Sequence, residues 1–282
     1  MDKAWSKDQV QYSLRYVNYS SEAEGRKTGT AESIPIQGPV VNEFLGKTIH
    51  LEFTGRIRCV DCGRLTKKSF NQGSCYNCFI TLASNDICIL QPTKCHYHLG
   101  TCREPEWGLK NCFKKHVVYL SITSGPKVGI TKEKFPENRW IDQGAVEAIP
   151  ILETKSRLDA GIIEEYIGNY IGDRTSWQKM VTGEPDRDGI DLKKERDKFY
   201  RAVENDSDLR SKIQSIKPSS VKKSTEFTYP ILSYPKAKSI KVEPGTSIES
   251  RLIGIKGQYL LLEQGVINLR TYEGYEFIFY SL

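Results

Sequence analysis

The strongest chemical signal in the chain is the run CVDCGRLTKKSFNQGSCYNC, which spaces its cysteines as Cys59-x2-Cys62-x12-Cys75-x2-Cys78. Each Cys-x2-Cys knuckle can point two thiolates at one ion. Two knuckles joined by a short hairpin complete a tetrahedral shell, with Gly63 and Gly73 easing the turns. Zinc favours such a soft, closed, redox-inert site. The plainer alternatives are four ordinary buried thiols or two redox dithiols, and the doubled spacing favours zinc over both. Four protein ligands leave no position for water, so a zinc ion here would be structural. The basic residues between the knuckles, Arg64, Lys67 and Lys68, make this ribbon a candidate nucleic-acid-contacting surface.

The other four cysteines and three of the four histidines follow within a short block: Cys88, Cys95, His96, His98, Cys102, Cys112 and His116. Cys95-x2-His98 and Cys112-x3-His116 are two ligand pairs thirteen residues apart, a spacing able to hold a second zinc. Cys88 and Cys102 compete for the same role, because the pool exceeds four. Buried cysteines beside surface histidines are the alternative. A disulfide is disfavoured in a reducing compartment. His116 reads either as a zinc ligand or as a general base beside Tyr119, and the ligand reading is preferred.

These groups need elements to position them. Val117, Val118, Leu120 and Ile122 form an apolar, β-favouring run closed by Ser124-Gly125-Pro126, which predicts a strand and a turn. Lys127–Thr131 reads as a second, short strand in which Gly129 permits close approach to the backbone. Past Pro136, Arg139–Ala145 predicts one or two helical turns, Ala148–Glu153 a third strand, and Ser156–Tyr170 an amphipathic helix. The order is β, β, α, β, α.

With Val117-Val118-Tyr119 and Lys127-Val128-Gly129 as paired triplets, Arg139 ten residues on, and Glu164 within DAGIIEEYI, the stretch 116–180 resembles the GIY-YIG endonuclease superfamily. The resemblance implies a metal-dependent cleavage of phosphodiester bonds. Glu164 would hold Mg2+ or Mn2+, Arg139 would clamp the phosphate, and Tyr119 would orient or deprotonate the attacking water. Lys127 stands where the second triplet has its tyrosine; it would depress the pKa of Tyr119 or touch the phosphate. Lys132 and Trp140 would extend the nucleic-acid surface by phosphate contact and base stacking. With the zinc-type cysteines ahead of it, and RWIDQGA and DRTSW within it, the wider sequence resembles an uncharacterised bacterial family of unknown function. Plainer roles stay open: Glu164 and Glu165 as the solvent face of a helix, Tyr119 at a core edge, Arg139 paired with Asp142. Asp173, Arg174 and Trp177 form a polar cluster that caps the helix, or Trp177 plugs the core.

The 282 residues are 38% apolar and 27% charged, an ordinary composition with enough apolar residues for a real core. No apolar run approaches the roughly 18 residues that span a bilayer, and the N-terminus lacks a signal-peptide core, so a cytoplasmic protein without a membrane partner is expected. The formal charge of +6 points only weakly to nucleic acid. Its distribution says more: Thr54–Phe70 holds five basic residues against Asp61, and Leu209–Thr225 holds five and no acid.

The expected class is α+β. Residues 1–54 provide strands (Val10–Tyr19, Val40–Phe44, Thr48 onward) around an exposed loop. Residues 55–115 bind zinc, and 116–182 form the GIY-YIG-like β-β-α-β-α domain. Residues 183–224 form a helical linker, with helices over Asp191–Glu204 and Asp208–Ile216. The strand-rich segment 225–282 (FTYPILSY, SIKVEP, GIKGQYLLL, GVINLR, YEFIFYSL) suggests a small β-barrel, which the N-terminal strands complete if the centre is an insertion. The functional expectation is a zinc-containing DNA- or RNA-binding protein with endonuclease-type chemistry. The alternatives are a non-catalytic nucleic-acid-binding module and a scaffold for a protein partner.

Overall fold

A computed structural model describes residues 1–5, 9–19, 33–134, 136–171, 176–185, 187 and 189–282. Much of the expected N-terminal loop, together with Asp173 and Arg174, lies outside these residues. The chain divides into two compact units. One joins Met1–Thr81 to Thr228–Leu282, and the other is the intervening Leu82–Phe227.

In the first unit, β1 (Asp2–Trp5), β2 (Val10–Tyr19) and β3 (Ser33–Val40) form a three-stranded antiparallel sheet of their own. Asn42 ties it down. Its side-chain oxygen accepts from the Tyr12 amide at 2.9 Å, and its Nδ2 donates to the Val10 carbonyl at 3.0 Å. Val41–Phe44 is a 3-10 turn, where the sequence suggested an extended piece. Then β4 (Thr48–Arg58) alternates as its sequence predicts, with Ile49, Leu51 and Phe53 buried in period two. The short β5 (Leu65–Thr66) folds back onto the end of β4, and α1 (Tyr76–Thr81) follows.

The second unit opens with α2 (Ile87–Leu90) and α3 (Pro105–Asn111), joined by 3-10 turns. The expected hairpin is β6 (His116–Ile122) and β7 (Pro126–Lys132), antiparallel, with Tyr119 facing Gly129 and Lys127 facing Ser121. Next come α4 (Pro136–Asp142), β8 (Glu147–Thr154), α5 (Arg157–Gly168) and α6 (Trp177–Thr182). After them lie α7 (Leu192–Asn205), α8 (Ser207–Lys212), β9 (Ile216–Pro218) and β10 (Thr225–Glu226).

The strand order is β10-β8-β6-β7, with β9 also paired to β8. Strand β6 is buried along its whole length, which requires cover on both faces, and α5 and α7 both pack against the sheet. Helix α5 starts where Ser156 accepts from the Asp159 amide at 3.0 Å, an N-cap that satisfies an otherwise unpaired donor. Its buried stripe is Ala160, Ile163 and Ile167, at helical spacing. In α7 the buried seam is Leu192, Phe199 and Val203.

Back in the first unit, β11 (Ser247–Lys256), β12 (Tyr259–Leu262), β13 (Gly265–Asn268) and β14 (Tyr275–Ser281) complete a sheet ordered β13-β12-β11-β4-β14. Strands β12 and β13 pair as a hairpin across the Glu263-Gln264-Gly265 turn. The barrel does not: among the described residues the sheet is open, with β13 at one edge and β14 at the other. Two of the segments expected to supply strands, FTYPILSY and SIKVEP, run irregularly and make only isolated bridges at Ile231 and Ser239. Pro230, Pro235 and Pro244 interrupt them, and each removes a ladder donor. The N-terminal sheet β1–β3 likewise closes nothing.

Candidate metal centre and the polar site of the central sheet

The four-cysteine centre grows out of the end of β4. Cys59 leaves the strand, and the Gly63 amide returns to its carbonyl at 2.8 Å, a tight turn that needs Gly63 at φ 73°. The other knuckle is shaped by Asn71, Gln72 and Gly73, all at positive φ, and by the Phe70–Ser74 bridge. Gly73 is required twice over: its φ is 124°, and a Cβ there would meet Val60 at 2.6 Å. Cys75 precedes α1 and Cys78 sits on it, so a helical turn supplies the second pair of sulfurs.

All four ligand atoms lie within 4.8 Å of one another, and Cys62 Sγ is 3.8 Å from Cys75 Sγ. Tetrahedral zinc with Zn–S near ~2.3 Å requires sulfurs about 3.8 Å apart. The Cys75 amide donates to Cys59 Sγ at 3.1 Å, and Asp61 takes the Ser74 hydroxyl at 2.6 Å, fixing the turn. Burial pushes the Cys59 thiol up to about 11 and raises that of Cys78 as well. Burial would also raise Cys62, but the Arg64 amide and the neighbouring thiols bring it below its ordinary value. Four sulfurs this close cannot all ionise without a cation between them. The donor set therefore fits a closed, structural zinc shell.

Around this ribbon, Lys67 and Lys68 are exposed and Arg64 is half-buried. Lys68 lies over the Phe70 ring at 5.2 Å. Arg56 and Arg58 belong to the same basic stretch, but both pair with Glu276, at 3.3 and 3.1 Å.

In the central sheet, Tyr119, Lys127, Arg139 and Glu164 come from β6, β7, α4 and α5. The Tyr119 ring lies across Gly129, where a Cβ would meet the phenol oxygen at 2.6 Å, and its hydroxyl donates to Gln143 Oε1 at 2.7 Å. Burial raises the pKa of this phenol. The Arg139 guanidinium pulls against that rise by charge and hydrogen bonding, and the Glu164 carboxylate adds to it. Arg139 and Glu164 thus act on the same hydroxyl, although they lie 25 positions apart in sequence. Lys127 is buried on the Tyr119 face of the hairpin, because directly opposed residues share a face. Glu164 is half-buried and Glu165 exposed, the separation expected of adjacent helix positions about 100° apart.

Trp140 corrects the sequence reading. It is 2% exposed and packs edge-on against Tyr119 and Phe227, so it cannot stack on a base from the surface. Lys132 is exposed and donates to Asn111 Oδ1 at 2.9 Å. Trp177 is half-buried at the start of α6.

Of the proposed second zinc set, Cys95, His98 and Cys112 line one cavity, but His116 is not on its wall. No three of these four bring ligand atoms within 4.8 Å of one another. His116 is fully buried at the start of β6, with Nδ1 at 2.8 Å from the Lys114 carbonyl and Nε2 without a hydrogen-bond partner. Gln143 and Arg157 had no sequence signal. The Arg157 guanidinium donates to the Ile89 carbonyl at 2.6 Å and feels both Cys112 and Glu164.

Fold and site together define an α+β protein of antiparallel sheets carrying a four-thiolate centre suited to zinc. No helix among the described residues is long and apolar enough to cross a membrane. The chain belongs to a family described as "protein of unknown function (DUF2797)", through a match that spans residues 46–277. Neither the curated proteins nor the solved structures searched gave a match.

Proposed function

We propose that the protein is a zinc-stabilised nucleic-acid-binding protein whose central sheet carries a metal-dependent phosphodiesterase site. What supports this is the gathering of Arg139 from α4 and Glu164 from α5 near the buried Tyr119 of β6, whose hydroxyl is held by Gln143. Glu164, half-buried on α5, is the carboxylate that would hold a divalent cation. A single carboxylate suits Mg2+, which keeps most of its shell for water and substrate phosphate. When bound, such an ion supplies charge neutralisation at the phosphate and a water of lowered pKa.

The chain's own residues do the positioning. Arg139 presents a guanidinium to a phosphate oxygen, the planar donor that suits bidentate capture. Tyr119 stays protonated and, held by Gln143, fixes the orientation of the arginine instead of abstracting a proton. Lys67 and Lys68 on the ribbon add sequence-independent phosphate attraction.

The test is cleavage of single-stranded, duplex and branched DNA and RNA with Mg2+ or Mn2+. Glu164→Gln should abolish turnover while Glu165→Gln leaves it intact. Turnover indifferent to Glu164→Gln defeats the assignment. Salt-dependent binding with no metal-stimulated cleavage of any substrate would leave a binding module, the reading that the exposed basic ribbon supports by itself.

A further inference from the structure

The segment between Leu82 and Lys115 has almost no core of its own. Its regular structure consists of α2, α3 and 3-10 turns of a few residues, lengths at which a helix is not self-supporting. Four of its large apolar side chains, Ile87, Leu90, Leu99 and Leu109, are exposed. Inward, beside Ile89, Tyr97, Trp107 and Phe113, it gathers sulfur. Cys88 lies in α2, Cys95 ends the turn 92–94, Cys102 follows the left-handed Gly100, and Cys112 caps α3. All four are half-buried free thiols and line one cavity together. Three of them, Cys88, Cys95 and Cys112, also line an adjoining space of about 310 Å³ walled by Pro92, Tyr97 and Leu158.

The thiols sense one another: burial pushes Cys88 up to about 11, and Asp86, Cys95, Cys112 and Cys102 add to the rise. Yet no three of these sulfurs fall within 4.8 Å of each other, unlike the four of the ribbon. The ring is therefore wider than the sulfur spacing of about 3.8 Å that a single tetrahedral zinc requires. We infer that Cys88, Cys95, Cys102 and Cys112 are the ligands of a [4Fe–4S] cluster, whose iron and sulfide atoms occupy the space between them.

Soft thiolates in a four-cysteine set are the donors that iron–sulfur clusters take. Four thiolates around a cluster leave net negative charge, and the cavity wall provides the counter-cation. Arg157 lines the adjoining space beside Cys88, Cys95 and Cys112, with an Nε that has no hydrogen-bond partner, an N–H available to a cluster sulfur. The nearby trio Asp86, Cys88 and His96 also gathers within ligand distance of one another. There the Asp86 carboxylate is already taken by Arg103 at 2.8 Å and His96 at 3.4 Å, so a cation is already in place. Helix α5 fits against this region through Gly161, which meets Pro92 where any Cβ would clash. The inference is independent of the proposed phosphodiesterase chemistry.

The full chain, reconstituted anaerobically with equal amounts of ferrous and ferric iron and with sulfide, then desalted, should be brown. It should hold four irons and four acid-labile sulfides beside the ribbon zinc, and give a paramagnetic signal on reduction by dithionite. The double substitution Cys88→Ala/Cys102→Ala should bring iron and sulfide to background while zinc stays at one per chain. His98→Ala and His116→Asn should keep the iron. A wild-type chain that stays colourless after reconstitution, or takes a second zinc in place of iron, overturns the inference. So does iron that survives removal of Cys88 and Cys102. The wild-type measurement stands even if the double variant folds poorly.

Discussion

His116 should make the protein sensitive to mild acid, by an amount the structure sets. Its imidazole is fully buried, Nδ1–H donates to the Lys114 carbonyl, and Nε2 faces no partner, so the folded chain holds it neutral. Burial lowers its pKa from 6.5 to about 4, with Arg157 and Lys132 pushing the same way. The unfolded chain therefore binds a proton between these values that the folded chain does not. Stability is complete above the unfolded value and drains away as pH falls toward the folded one. At about pH 5 the linkage amounts to about 2 kcal/mol, against a few tenths at about pH 7. In His116→Asn the new amide can still donate to the Lys114 carbonyl, but nothing titrates. Urea unfolding of the two proteins at both pH values isolates the term, because acid effects on the cysteines are common to both. The gap between wild type and variant should shift by about 2 kcal/mol in the variant's favour on going from about pH 7 to about pH 5. Parallel loss of stability would refute the buried neutral imidazole. Loss of a bound metal in the variant would place His116 in a metal shell after all.

Three further outcomes follow from particular contacts. Cys62→Ser should take zinc from one ion per chain to near none by elemental analysis. Because such a site is folded by its metal, with apparent zinc binding worth roughly 10–16 kcal/mol, the same variant should become protease-sensitive between the knuckles. Gly129→Ala should cost about 1–3 kcal/mol in urea unfolding, since the added Cβ meets the Tyr119 oxygen at 2.6 Å and the buried ring has nowhere to retreat. A neutral result would show that the ring is not held across the hairpin. Trp140→Ala should cost about 3–5 kcal/mol of stability and leave the salt dependence of nucleic-acid binding unchanged. A change in binding without a change in stability would return Trp140 to the surface.

What the sequence disclosed was what neighbouring residues decide. The ribbon was legible because each knuckle is four residues long and its geometry is closed by Gly63 and Gly73. The β6–β7 hairpin was legible because its apolar, β-favouring run and its turn sit side by side, and Tyr119 does face Gly129. Reading failed where partners are remote or where burial decides. The barrel expectation counted strands in 225–282 but gave too little weight to Pro230, Pro235 and Pro244, and nothing local says that β4 will sit between β11 and β14. Trp140 was misassigned although a signal was present: Trp140-Ile141 on a seven-residue helix is an apolar pair that must face a core.

The sulfur cavity is the most instructive case. Cys88, Cys95, Cys102 and Cys112 are separated by six, six and nine residues, spacings that no knuckle produces, so each sits on a different short element. Bringing four such elements together costs chain entropy that outward-facing Ile87, Leu90 and Leu99 cannot offset. In the ribbon, backbone turns and hydrogen bonds help to hold the sulfurs at ligand distance. In the segment 82–115 regular structure is too short to do so, and a multi-atom ligand bonded to all four sulfurs is a centre around which it can order. Metal and fold would then be inseparable there, which is why iron content, more than activity, is the measurement that decides what this part of the chain is for.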